Sequence, residues 1–129
     1  MILLVDDDPM VRRVATGSLE SLGYQIVPAD DGVMALQLLE RRGAPVDLVL
    51  ADVMMPRMGG LELARGLGAR GSRIPVLFIS GFIGGEAGME EQLAAYGDVL
   101  AKPFTLEALA RAVRRSLDRA DRVAPTLPG

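Results

Sequence analysis

Five short apolar runs alternate with segments of helical periodicity, and this alternation constrains the fold more than any other feature of the sequence. The runs are ILLV (2–5), YQIVP (24–28), VDLVLA (46–51), IPVLFIS (74–80) and the weaker DVLA (98–101). Each run is short and bounded by Gly, Pro or Asp, which is typical of strands. ILLV, VDLVLA and IPVLFIS are almost continuously apolar, as expected for parallel strands that are buried on both faces.

A segment with helical spacing follows each run. The first begins after Pro9, stops before Gly23 and has apolar residues along one side, namely Met10, Val14, Leu19 and Leu22. Further helices are expected at about 33–43, 61–67 and 86–95, the last of these weakened by glycines. A fifth helix is predicted to start after Thr105, a typical N-cap residue. The pattern predicts an α/β domain whose parallel sheet is covered by helices on both faces.

Length and composition narrow the class of protein. The 129 residues fit one domain, which we place at 1–118, with 119–129 as a tail or linker expected to be disordered. The chain has no cysteine and no histidine, so disulfides, thiolate or imidazole metal ligands and His-based catalysis are excluded. The net charge of −3 argues against nucleic-acid binding. We see neither a signal peptide nor a membrane span and expect a soluble cytoplasmic domain.

Polar side chains follow several of the predicted strands where each one ends. They are Asp6, Asp7 and Asp8 after the first, Asp52 after the third, Ser80 and Gly81 after the fourth, and Lys102 after the fifth. In an open parallel sheet these carboxyl ends form one edge, where ligands bind. Each residue alone also has a structural explanation, as a turn, a surface charge or a helix cap, and Asp8 is an even choice between cap and ligand. The presence of all these residues at one edge of the sheet favours a functional site.

The residue types at this edge indicate its chemistry. Carboxylates without His or Cys suit Mg²⁺ or Ca²⁺ rather than Zn²⁺, and a pair or trio with waters suits Mg²⁺ best. A divalent cation would offset the repulsion between the clustered aspartates. A carboxylate can also act as a nucleophile towards a phosphoryl group, and Lys102, the single lysine of the chain, could neutralise charge on that group.

These residues resemble the receiver domains of bacterial two-component response regulators, over about residues 1–118. The matching motifs are LLVDDDP (3–9), LVLADVMMPRMGGLEL (48–63), VLFISG (76–81) and AKPFTLEAL (101–109). The resemblance implies a single (βα)5 flavodoxin-like domain with strand order 2-1-3-4-5. The stretches ISGFIGGEAGMEEQLAAYG and DVLAKPFTLEAL look like those of receivers attached to hybrid histidine kinases, or of stand-alone receivers.

The resemblance also implies roles for individual residues. Asp52 matches the phosphoacceptor, and Asp6, Asp7, Asp52 and the backbone carbonyl of Met54 match the ligands of Mg²⁺, for which Mn²⁺ can substitute. Ser80, Gly81 and Lys102 match the residues that bind the phosphoryl group and switch, and Pro103 matches the position of a cis peptide bond. Val99 stands where the family often has an aromatic coupling residue, which puts that coupling in doubt. Met54 and Phe82 occupy positions that tune dephosphorylation and, being apolar, predict slow loss of phosphate.

The function implied is a phosphorylation-dependent switch that takes its phosphoryl group from a histidine kinase or a histidine phosphotransfer domain. The signal would change the surface of the fourth helix, fifth strand and fifth helix, read by an unidentified protein target or fused output. The fifth helix carries an arginine-rich face, which is either solvated or a docking surface for an acidic partner. Two alternatives are a magnesium-dependent aspartyl-phosphate phosphatase and a pseudo-receiver that binds partners without phosphorylation.

Overall fold

The computed structural model describes residues 1–41, 46–55, 57–81 and 89–123. Its strands are β1 (Ile2–Val5), β2 (Ile26–Ala29), β3 (Leu48–Asp52), β4 (Val76–Ser80) and β5 (Gly97–Ala101). Its helices are α1 (Pro9–Ser21), α2 (Gly32–Arg41), α3 (Gly60–Ala69), α4 (Met89–Ala94) and α5 (Leu106–Val123). The strands pair in parallel in the order β2-β1-β3-β4-β5. The predicted fold and strand order are confirmed.

The sheet has an apolar layer on each face because successive strand residues point to opposite sides. On one face, residues such as Leu3, Val49 and Phe78 pack with α2, α3 and α4. On the other face, residues such as Leu4 and Leu50 pack with α1 and α5. Every residue of β1, β3 and β4 is buried, which explains their unbroken apolar sequence. The edge strands β2 and β5 are only partly covered.

Helix α1 begins where the sequence predicts, but of the residues predicted to line its buried side only Leu19 is buried. The carboxylate of Asp8 caps it by accepting hydrogen bonds from the backbone N–H groups of Met10 and Val11. Ala15 and Leu19 are buried, whereas Met10 and Val14 are exposed. At about 100° per residue, Leu19 lies roughly 140° around the helix from Val14, so the predicted residues do not share one side, and the sheet covers the side that carries Ala15 and Leu19.

Helix α5 continues to Val123, so residues 119–123 extend this helix and do not belong to the predicted tail. Arg119 helps to anchor this end, since its guanidinium donates to Asp98 of β5 at 3.0 Å. Thr105 caps the other end through Ala108, as predicted. Residues 124–129 and the entry to α4 at 82–88 lie outside the described residues. Within the described residues, none of the helices has the length and apolarity needed to cross a membrane.

Two glycines provide a matched test of packing. A Cβ added to Gly97 in β5 would lie 1.8 Å from the carbonyl oxygen of Val76, whereas one added to Gly17 on α1 would have no neighbour within 4 Å. We expect Gly97→Ala to lower the free energy of unfolding by about 2–3 kcal/mol. Gly17→Ala should raise it by about 0.5–1 kcal/mol, because alanine restricts the unfolded chain and favours helix.

Urea unfolding of both variants, followed by circular dichroism, checks this expectation. Equal stabilities for Gly97→Ala and the unchanged protein would show that β4 and β5 are not as closely packed as described.

Candidate functional site

Three carboxylates meet at the carboxyl edge of the sheet. Asp6 follows the last residue of β1 and Asp52 ends β3, and these two strands are hydrogen-bonded neighbours. Oxygen atoms of Asp6, Asp7 and Asp52 lie within 4.8 Å of one another. Asp6 and Asp52 are buried, whereas Asp7 is exposed. The sheet therefore holds two acidic groups away from solvent at short distance, with a third at the mouth of the site.

Lys102 supplies the opposing charge. Its ammonium Nζ donates to Oδ2 of Asp52 at 3.0 Å and lies 3.6 Å from Oδ2 of Asp6. Lys102 directly follows β5, so its long side chain reaches past the end of β4 to the carboxylates. Its own backbone N–H donates to the carbonyl of Ser80 at 2.8 Å, and the Lys102–Pro103 peptide bond is cis, as predicted.

Burial and charge perturb the protonation of these groups. Burial raises the pKa of Asp6, and the nearby negative charge of Asp52 raises it further, against the opposing effects of the Asp8 backbone N–H and the Lys102 ammonium. For Lys102, burial alone would lower the pKa, but the hydrogen bond from Lys102 to Asp52 and the two carboxylate charges outweigh it, so its pKa is raised. The lysine is therefore held in its charged form.

Backbone N–H groups orient the two buried carboxylates. Oδ1 of Asp6 accepts from the N–H of Asp8 at 2.9 Å, and Oδ1 of Asp52 accepts from the N–H of Met54 at 3.1 Å. The guanidinium of Arg12 donates to the carbonyl of Asp6 at 2.5 Å. Asp8 thus acts as the cap of α1 and as a support for Asp6, which settles the alternative left open by its sequence position.

The donor set fits a hard divalent cation. Oδ2 of Asp6 is buried and accepts no hydrogen bond within the described part of the chain, although the Lys102 ammonium lies 3.6 Å from it. Burying an ionised oxygen without a hydrogen bond is costly. The other oxygen of Asp6 and one oxygen of Asp52 are already held by backbone N–H groups. A set of carboxylates with no nitrogen or sulfur ligand matches the preference of Mg²⁺.

The remaining predicted residues are placed as follows. Ser80 is buried at the end of β4, and Gly81 lies beside the Lys102 stem, since a Cβ added there would be 3.6 Å from Cδ of Lys102. Val99 is partly exposed on β5, and the side chain of Met54 is exposed. Phe82 lies outside the described residues, so its predicted role stays a prediction.

Sequence reasoning missed a requirement at the start of α3. A Cβ on Gly60 would lie 2.6 Å from the carbonyl oxygen of Asp52, and one on Gly59 would lie 2.4 Å from that of Val53. The N–H of Gly60 also donates to the carbonyl of Val53. These glycines let the helix start directly against the strand end that carries Asp52. The paired glycines in MGGLEL were the available signal, but only tertiary structure shows what they approach.

Comparison with known proteins identifies a matching family model and several relatives. The model of the family described as the response regulator receiver domain matches residues 2–114. The sensor kinase CckA of Brucella abortus is 37% identical over 93% of this chain, which covers 13% of CckA. The response regulator MprA of Mycobacterium leprae is 42% identical over 92% of this chain, which covers 51% of MprA. The chain thus spans about half or less of the length of these relatives.

Solved structures give the same result. A signal receiver domain of an HD domain-containing protein from Pseudomonas fluorescens superposes with a TM-score of 0.85 at 26% identity, covering 98% of this chain and 92% of that one. The receiver domain of a sensor histidine kinase from Pseudomonas aeruginosa superposes with a TM-score of 0.78 at 32% identity, covering 91% and 96%. That structure has a magnesium ion coordinated in its active-site cleft.

The balance of charge around Lys102 can be tested without any ligand. Lys102→Met keeps the length of the side chain but leaves Asp6 and Asp52 facing each other, so we expect a loss of about 2 kcal/mol of unfolding free energy at neutral pH. The loss of the ammonium removes an effect that lowers the pKa of Asp6, so that pKa should rise further in the folded state. Protonation of this carboxyl should therefore reduce the loss of unfolding free energy in Lys102→Met as the pH falls to about 5.

Urea unfolding with a chelator present, at both pH values, measures the effect. Arg111→Met is the matched control, because the Arg111–Glu107 pair is exposed and its loss should cost less than about 0.5 kcal/mol. A deficit for Lys102→Met that is absent, or that grows on acidification, would contradict this account.

Proposed function

The chain belongs to the family of response regulator receiver domains of two-component systems, and from this we propose that it is a switch whose state depends on phosphorylation of Asp52. The supporting observation is that Asp52 is a buried carboxylate with one oxygen held by a backbone N–H and the other by Lys102. Such a carboxylate is fixed in position, and the ammonium that it faces can pair with an incoming phosphoryl group. The donor is a histidine kinase or a histidine phosphotransfer domain.

The transfer requires few protein groups. A carboxylate oxygen of Asp52 forms the new O–P bond as the P–N bond to the donor's imidazole breaks, and the imidazole leaves with that electron pair. Lys102 then pairs with a phosphoryl oxygen in place of the Asp52 carboxylate. The Ser80 hydroxyl and the backbone N–H of Gly81 bind the remaining oxygens. Catalysis is thus mainly positioning and charge neutralisation, as is general for phosphoryl transfer, and we do not class the domain as a conventional enzyme.

Asp6, Asp7, Asp52 and the backbone carbonyl of Met54 are the residues that would hold Mg²⁺, or Mn²⁺ in its place. The support is the closeness of the three carboxylates and the unsatisfied Oδ2 of Asp6. When bound, the cation neutralises the acidic cluster and the charge of the phosphoryl group.

The donor would dock where apolar side chains surround the acidic edge. Met10 at the start of α1, Met54 after β3 and Leu106 at the start of α5 are 68%, 69% and 48% exposed. All three lie at the carboxyl end of the sheet, because each stands next to the end of a strand. Methionine is enriched at protein interfaces, and large apolar side chains left exposed beside a site mark a surface that a protein partner can cover.

The response passes through the strands that carry Ser80 and Lys102. Movement of these residues towards a phosphoryl group would shift the segments that lead into α4 and α5, which changes the α4–β5–α5 surface. Val99 lies on this surface in the place of the usual aromatic residue. The target is an unidentified protein or a fused output segment, reached in the cytoplasm without direct contact with nucleic acid.

The arginine face of α5 is largely neutralised by its own neighbours. Arg111 pairs with Glu107, Arg114 with Asp118 and Arg119 with Asp98. This arrangement favours a solvated face over a docking surface for an acidic partner, since the neighbouring carboxylates reduce the net positive charge that such a partner would meet.

Neither alternative function is favoured. An aspartyl-phosphate phosphatase places its nucleophile directly after the first strand, whereas the lysine-bonded carboxylate here is Asp52 after β3. A pseudo-receiver would not need the complete set of acidic residues, hydroxyl and lysine that this chain retains.

Phosphorylation of Asp52 can be measured directly. Incubation with acetyl phosphate and Mg²⁺ should add the mass of one phosphoryl group, and a chelator should abolish the reaction. Asp52→Asn should remain unmodified, and Asp7→Asn should react much more slowly because it loses a predicted metal ligand. Arg111→Met is the control expected to react normally. Modification of Asp52→Asn to the same extent, or repeated turnover of small phosphomonoesters by the unchanged protein, would refute the proposal.

The phosphorylated form should be long-lived. The apolar Met54 and Phe82 cannot orient an attacking water, so we expect loss of phosphate over minutes or longer. A time course of phosphate release after removal of the donor measures the lifetime. Met54→Asn, which offers a polar side chain beside Asp52, should shorten it. Complete loss within seconds from the unchanged protein would contradict the expectation.

A further inference from the structure

An ion pair between a buried carboxylate and a largely exposed guanidinium, outside the acidic cluster, links the segment after β3 to the start of α2. The carboxylate of Asp31 is only 4% exposed. Its Oδ2 accepts from Nε of Arg57 at 2.5 Å, and Nη2 of the same guanidinium contacts that oxygen too. Its Oδ1 accepts from the N–H of Met34 at 2.9 Å, which caps α2. One carboxylate therefore binds both a helix end and a loop.

Arg57 adopts this position at a conformational cost. Its φ is +64°, and it is the single non-glycine residue with positive φ in the described ranges. For a residue with a Cβ this region is sterically unfavourable. The ion pair helps to offset that cost, since its hydrogen bond is charge-assisted.

The backbone reinforces the same junction. The N–H of Gly32 donates to the carbonyl of Met58 at 3.2 Å, and a Cβ on Gly32 would lie 2.6 Å from Cγ of Met58. The ion pair between Asp31 and Arg57 and the contact between Gly32 and Met58 thus both hold the segment before α3 against the first turn of α2. At its other end the loop returns to the strand through the Gly60 N–H and the Val53 carbonyl.

The loop held in this way carries Met54, whose N–H donates to Oδ1 of Asp52 at 3.1 Å. We propose that Asp31 and Arg57 form a positioning pair that fixes the β3–α3 loop, so that the Met54 backbone holds the Asp52 carboxylate ready for phosphoryl transfer. Neither residue touches the reacting atoms. The catalytic part of this inference rests on the proposed function of Asp52, whereas the structural part does not.

Protonation is consistent with a permanent pair at neutral pH. Burial alone would raise the pKa of Asp31, but the Met34 backbone N–H and the Arg57 guanidinium outweigh it and lower the pKa below its usual value. Asp31 therefore stays ionised throughout the pH range in which the domain would be phosphorylated.

Three variants distinguish the effect of losing this ion pair from a general loss of stability. Asp31→Asn keeps an oxygen to cap α2 but removes the charge that holds Arg57. Arg57→Gly removes the guanidinium and also relieves the positive φ, and the third variant combines both changes. The control is Glu40→Gln, because the Glu40–Arg70 pair also bridges α2 to the α3 region but is exposed and lies at the far ends of both helices.

Two measurements test the proposal. The rate of phosphorylation by acetyl phosphate at saturating Mg²⁺ should fall about tenfold in Asp31→Asn and Arg57→Gly, as expected for a misplaced reacting group. The double variant should be no slower than the slower single variant, because both changes remove one interaction. Amide exchange of the Met54 N–H, followed by NMR without any phosphodonor, should accelerate by a similar factor. Glu40→Gln should leave both quantities unchanged.

The outcomes are distinct. Unchanged rates and unchanged Met54 exchange in both single variants would overturn the proposal. So would uniform acceleration of exchange at all amides, because that pattern reports lower global stability rather than a released loop. If the unchanged protein is never phosphorylated, the proposed function fails, but Met54 exchange still decides whether the pair fixes the loop.

Discussion

The structure depends on how the repulsion between two buried aspartates, which the sheet brings together, is offset. Asp6 and Asp52 end neighbouring strands, and Lys102 offsets their charge from a third strand. Each of the three groups is costly to bury alone, so the arrangement persists only because apolar layers on both faces hold the strands in register. The energy of folding therefore keeps two carboxylates close together at the acidic edge despite their repulsion, which a bound cation would reduce.

The residues around the cluster fix the orientation of the two buried carboxylates. Backbone N–H groups of Asp8 and Met54 hold one oxygen of each buried carboxylate, which leaves the other oxygens directed at Lys102. Asp8 also caps α1, and the loop that carries Met54 is tied to α2. The elements around the site thus connect the carboxylates to both helical layers, as a switch requires if a charge change at one atom is to alter a distant surface.

Much of this could be predicted from sequence because the signals are local or periodic. Continuous apolar runs identified β1, β3 and β4, and Thr105 marked the start of α5. Strand ends identified the site residues, since all parallel strands deliver their carboxyl ends to one edge. The prediction for α1 was right for Leu19 alone, because the residues chosen do not share one side of the helix, and the end of α5 was placed too early because composition alone does not show the Arg119–Asp98 contact.

By itself the sequence determined the alternation of strands and helices, the absence of imidazole and thiolate chemistry, and the identity of the charged groups at the sheet edge. Only the tertiary structure decided which oxygen meets which donor, that Asp8 supports Asp6, and that Asp31 binds Arg57 across 26 residues of chain. The physical reason is that periodicity and capping act over a few residues, whereas these contacts join side chains whose distance is set by the packing of separate elements.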